Sequence, residues 1–132
     1  MIPARERLLK ILAAIVVLVA VLHITATIFD LYWRLWWFDI PLHLLGGVFS
    51  GLFVVWVCFF SGYLPFRTPR RRVLFWSAIF GAVAIGAGWE VFEGLFHIVA
   101  NPFFSYAFDT AKDLLMDTLG GFTAALFLIR FV

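Results

Sequence analysis

Four long stretches of this chain hold almost nothing but apolar side chains, and they constrain its fold more than any other feature. They run from Leu8 to Phe29, Ile40 to Phe60, Val73 to about His97, and about Asp113 to Val132. A helix of about 20 apolar residues matches the roughly 30 Å hydrocarbon core of a bilayer. Within lipid every backbone polar group must be satisfied internally, which leaves helices or a closed barrel. None of the four runs shows the two-residue alternation of a membrane strand. The expectation is an all-α integral membrane four-helix bundle. Residues 1–132 form one transmembrane domain, with helices at about 8–29, 40–60, 73–97 and 113–132. Composition agrees: 64% hydrophobic and 14% charged residues cannot coat a soluble domain of this size. A net charge of +2 is too small to suggest nucleic acid as a partner. The single cysteine, Cys58, excludes an internal disulfide and a cysteine-rich metal site; it reads as a small apolar core residue.

The basic start Arg5, Arg7, Lys10 resembles that of a signal peptide, but the apolar stretch behind it is long and Ile24-Thr25-Ala26 is a poor cleavage site. It reads as a retained helix. Lysine and arginine set the orientation. Arg5, Arg7 and Lys10, the loop arginines Arg67, Arg70, Arg71 and Arg72, and Arg130 fall on one side; Arg34 and Lys112 fall on the other. Positive-inside bias then places both termini in the cytoplasm. The R-T-P-R-R-R loop reads first as a topology determinant and second as a contact for anionic lipid. In the first outer connection Trp33, Trp36 and Trp37 stand at i, i+3, i+4, as on one ribbon of a short interfacial helix over 30–39. Asp30 and Arg34 read as a surface pair, and His23 as a core histidine bonded to a backbone carbonyl. Small residues repeat at four-residue spacing: Gly47 and Gly51, Ala82 and Gly86, Gly120 and Ala124, Gly121 and Ala125. Such faces bring helices two, three and four close together.

The ionisable residues follow a depth rule. Asp39 and His43 sit at the outer end of helix two, Glu90, Glu93 and His97 at the outer end of helix three, and Asp109, Asp113 and Asp117 at the outer end of helix four. Each set is spaced by three or four residues and so shares a helical face. Charges in hydrocarbon cost several kcal/mol, which turns these faces inward toward one another. Gly88 and Gly94 flank the glutamates and leave room beside them. Lys112 pairs with Asp109 or a headgroup phosphate. The combination suits Zn²⁺, Mn²⁺ or iron, with Asp39, His43, Glu90, Glu93, Asp113 and Asp117 as candidate ligands. Glu90, Glu93 and Asp113 are also candidate acid/base groups. No nucleophile elbow, H-E-x-x-H, P-loop or dinucleotide fingerprint occurs.

The stretches F-D-I-P-L-H-L-L-G-G, G-W-E-V-F-E and D-T-A-K-D-L-L-M-D-T-L-G-G resemble the VanZ-like superfamily, in particular its small bacterial inner-membrane members, over about residues 38–128. The resemblance implies a bacterial plasma membrane and polar positions at Asp39, His43, Glu90, Glu93, Asp113 and Asp117. Glu93 stands where many such proteins have glutamine. It implies no particular reaction. The combined expectation is an outward-facing carboxylate and histidine site that binds or modifies a lipid or envelope precursor with help from a divalent metal. Trp33, Trp36, Trp37 and Trp89 would then contact the amphiphile. The alternatives are a proton- or cation-linked transport element and a structural bundle acting through a partner, either a second copy or another membrane protein.

Overall fold

The computed structural model describes residues 2–65, 70–96 and 102–131, with side chains placed over 4–65, 70–96 and 102–130. All of its regular structure is helical. The elements are α1 (Ile2–Ile28), α2 (Leu31–Arg34), α3 (Asp39–Val55) with a π-helical turn (Trp56–Phe60), α4 (Arg71–Phe96) and α5 (Tyr106–Phe131). Among the described residues, three stretches are long and apolar enough to cross a membrane: Ala4–Ile28, Asp39–Phe60 and Arg71–Phe96. The fourth long helix, α5, differs from them in carrying Asp109, Lys112, Asp113, Asp117 and Arg130 along its length.

Local chemistry sets the helix limits. Pro41 lies in the first turn of α3, where its missing N–H costs nothing. That helix loosens into the π-turn, with Ser61 N–H donating to the Trp56 carbonyl at 2.7 Å. It ends at Gly62, whose φ of 82° is the left-handed stop that glycine tolerates. The helix expected from about Asp113 begins at Tyr106 instead, two turns earlier. Ser105 caps it: its Oγ accepts the Phe108 N–H at 3.4 Å and its carbonyl accepts the Asp109 N–H at 2.9 Å. Threonines inside the long helices turn their hydroxyls onto their own backbone, as Thr118 does to the Leu114 carbonyl at 2.7 Å and Thr25 to the Val21 carbonyl at 2.7 Å. That satisfies a polar group without water.

Helices α3, α4 and α5 pack mutually, and α1 lies against α3, its π-turn and α2. The small residues account for the close approach. A Cβ on Gly120 would overlap the Leu44 carbonyl, and one on Gly121 would come within 2.6 Å of Ala82 Cβ. A Cβ on Gly51 would stand 3.0 Å from the Ala78 carbonyl and 3.1 Å from Ala124 Cβ. The three-helix core is divided along its axis. One end is apolar, built from Leu52, Val55, Leu74 and Leu128 among others, with Leu8 and Leu12 of α1 packed into it. The opposite end holds the buried acids Glu90, Asp113 and Asp117.

Three local expectations are corrected. The tryptophans do not share a helical ribbon: α2 ends at Arg34, and Leu35 is extended at φ −125°, ψ 101°. Asp30 carries the strain of that corner at φ 54° and, among the described residues, forms no ion pair with Arg34. His23 bonds the Tyr32 hydroxyl through Nδ1 at 2.7 Å rather than a backbone carbonyl, tying α1 to α2. The loop arginine Arg67 and His97 lie outside the described residues.

A carboxylate and histidine cluster at one end of the bundle

The centre of the cluster is His43, on the first turns of α3, which meets acids on both edges of its ring. Nε2 stands 3.5 Å from Asp39 Oδ1, one turn earlier on the same helix, and 3.8 Å from Asp113 Oδ2 on α5. Nδ1 stands 3.4 Å from Asp117 Oδ2, one turn deeper on α5. The two edges differ. The Asp117 contact has hydrogen-bond geometry, so Nδ1–H is the donor consistent with a neutral ring. The Nε2 edge faces two carboxylate oxygens at separations that are long for hydrogen bonds. Two ligands of one tetrahedral metal ion, each about 2.1 Å from it, are about 3.4 Å apart. One ligand atom each from Asp39, His43 and Asp113 lies within 4.8 Å of the others, an arrangement able to hold a metal ion.

The remaining carboxylate oxygens of the pair are also engaged. Lys112 Nζ lies 3.3 Å from Asp39 Oδ2 and 3.3 Å from Asp113 Oδ1, while its shortest contact is Asp109 Oδ1 at 2.7 Å. Asp39 and Asp113 therefore each present one oxygen to His43 and the other to Lys112. The ammonium rests 5.6 Å above the Phe104 ring. Phe104 is braced by Phe108 at 5.0 Å and by the edge of Trp36 at 6.3 Å. Lys112 thus does far more than pair with Asp109. Sequence gave the Asp109 contact through i, i+3 spacing, but Asp39 is 73 residues away and no local signal marks it.

Asp117 owes its position to missing side chains. A Cβ on Gly86 of α4 would overlap its carboxylate, and a Cβ on Gly47 of α3 would overlap its backbone carbonyl. Asp117 is 4% exposed and Asp113 2%, so both are held in a dry, close-packed seam.

Glu90 is 5% exposed and lies near enough to His43, Asp117 and Asp109 to interact electrostatically. Its Oε1 and Thr110 Oγ1 of α5 are buried, and the Thr110 hydroxyl interacts with the Glu90 carboxylate. Glu93 is half-buried and accepts a bond from Trp89 Nε1–H at 2.8 Å; its electrostatic neighbours are Glu90, His43 and Asp39. The six acidic and histidine candidates therefore gather at one end of the bundle, but only three converge on a single point. Gly94 does not leave room beside the glutamates: Tyr106 fills it, a Cβ there would overlap the tyrosine hydroxyl, and that hydroxyl donates to the Glu90 carbonyl at 3.0 Å. Gly88 does face open space. Trp33, Trp36, Trp37 and Trp89 are about half exposed, at 52%, 53%, 46% and 46%. Tyr32 adjoins the cluster without having been singled out by sequence. Burial first, then the negative charges of Asp39 and Glu93, push its hydroxyl well above the usual tyrosine range, so it remains a proton donor.

Fold and cluster together define a helical membrane protein with a polar carboxylate and histidine grouping at one end that could hold a metal ion. A model of the family described as "Predicted membrane protein (DUF2238)" matches residues 3–132, and the chain belongs to that family. No curated protein and no solved structure matches it.

Proposed function

We propose that the protein crosses a bacterial plasma membrane four times, with both termini in the cytoplasm, and that its Asp39–His43–Asp113 recess holds a divalent metal ion on the outer side. The metal, zinc, manganese or iron, would serve binding or modification of a lipid or envelope precursor, as a hydrolase or transferase. One observation carries this reading. His43 engages Asp117 through Nδ1 while its Nε2 edge, Asp39 Oδ1 and Asp113 Oδ2 share the spacing of ligands around one ion. Metal-bound histidines characteristically give their second N–H to a carboxylate, which fixes tautomer and ring angle. Lys112 does the same for both aspartates by holding their outer oxygens.

Three protein ligands leave a coordination position for water or substrate, the pattern of catalytic rather than structural zinc. An ion held there by Asp39, His43 and Asp113 would supply Lewis-acid chemistry suited to hydrolysis or transfer at an ester or phosphoester. Glu90 and Glu93, electrostatic neighbours of His43, would be the acid/base groups. The half-exposed tryptophans suit contact with an amphiphile at the interface. The motif likeness to VanZ-like proteins supports an envelope role. Transport is disfavoured by the apolar plug of Leu12, Leu52, Val55, Leu74 and Leu128 at the other end of the core.

A second reading has its own observation. Lys112 of α5 reaches across to Asp39 of α3 while also pairing with Asp113 on its own helix, so the cluster can act as an ionic lock in a structural bundle. Metal analysis of the purified protein separates the two. A metal centre gives close to one ion per chain, lost in His43→Ala with the helical content retained. A lock gives none in either protein, and His43→Ala lowers only stability.

A further inference from the structure

Away from the acidic cluster, toward the start of α4, a groove of about 570 Å³ opens on the side of the bundle between α3 and α4. It is lined by Val54 of α3 and by Val73, Trp76, Ser77, Phe80 and Gly81 of α4, and Arg72 lines it toward the start of α4. Arg72, Trp76 and Phe80 follow at four-residue spacing and share one face of α4, which spreads them over about 12 Å along the axis. Trp76 and Phe80 stack at 5.7 Å with their planes 27° apart, giving the groove a flat aromatic side. At its inner end the helices nearly touch: a Cβ on Gly81 would lie 2.8 Å from Val54 Cβ. The groove thus narrows to a close helix contact at Gly81 and leads to an arginine.

Arg72 is exposed and has no carboxylate within ion-pair distance among the described residues, and the same is true of Arg70 and Arg71 beside it. The acids of this chain lie mostly at the opposite end of the bundle. An apolar trough with an uncompensated cation at one end is complementary to one kind of molecule, an acyl chain carrying an anionic head. We infer that this groove is a binding site for a single anionic glycerophospholipid, its phosphate on Arg72 and one acyl chain lying along Trp76 and Phe80. The site is independent of the metal reading and uses none of its residues. It also goes beyond general attraction of the basic loop to an anionic surface, since only Arg72 of the three arginines lines the groove.

Trp76 supplies the test, being 53% exposed and replaceable without opening the core. The protein is placed in nanodiscs containing bromine-labelled phosphatidylglycerol or bromine-labelled phosphatidylcholine at equal mole fraction. The Trp76 signal is the fluorescence difference between the native protein and Trp76→Phe. The anionic lipid is expected to quench that component as though enriched roughly fivefold, the weight of one basic side chain at a membrane surface. Arg72→Gln should abolish the preference and Arg71→Gln should leave it. Equal quenching by both lipids overturns the proposal. So does equal loss in Arg71→Gln and Arg72→Gln, which would mean diffuse attraction to the loop rather than a seated lipid.

Discussion

At the scale of single residues, the cluster depends on atoms that are absent as much as on those present. Asp117 can sit beside His43 only because Gly86 has no side chain. Gly86→Ala should therefore displace the carboxylate from Nδ1 and weaken zinc binding by about tenfold or more, the usual cost of losing an orienting partner. Gly88→Ala, one turn-fraction away and facing open space, should leave the affinity unchanged. Asp117→Asn keeps the shape and removes the charge; its affinity should fall about 10- to 100-fold with the fold intact. Calorimetric titration of the detergent-solubilised variants reads all three. The spacing of Asp39 with His43 and of Asp113 with Asp117 made their shared faces legible in sequence, because a helix fixes neighbours at i+4. The division of labour among them was not legible. Which carboxylate approaches Nε2 and which Nδ1 depends on the rotation of α5 against α3, and that is set by close contacts such as Gly120 on Leu44.

At the scale of elements, Lys112 is one of the side chains through which α5 grips α3 at the polar end, beside the contacts of Asp113 and Asp117 with His43. Its part-buried ammonium faces three carboxylates, so Lys112→Met leaves acids facing one another without that counter-charge. Unfolding in mixed micelles should show a loss of about 3 kcal/mol, as expected when one member of a buried ionic group is removed. Saturating Mn²⁺ should restore more stability to that variant than it adds to the native protein, since the ion supplies the missing positive charge. The long helices themselves were plain from their apolar runs. The start of α5 was not, because F-F-S-Y-A-F reads as an aromatic loop until the Ser105 hydroxyl is seen to cap Phe108. The tryptophan ribbon failed for a similar reason. Spacing describes a helix only where the backbone stays helical, and Leu35 is extended.

At the scale of the whole molecule, the acids gather at one end of the core and the apolar side chains at the other, a polarity foreshadowed by the placement of every acid-rich segment at one helix end. Whether the charged helix α5 completes a fourth crossing decides the topology. Reporter fusions at each terminus should both report the cytoplasm. Signals from opposite sides would leave only the three apolar spans in the bilayer. The central claim is that His43, Asp39 and Asp113 surround one ion. X-ray absorption at the zinc edge of the loaded protein tests it most directly. The spectrum should show a shell of oxygen and nitrogen at about 2.0–2.2 Å with the signature of a single imidazole, and loss of that imidazole in His43→Gln. A shell that contains sulfur from Cys58, or one that is unchanged by His43→Gln, would contradict it.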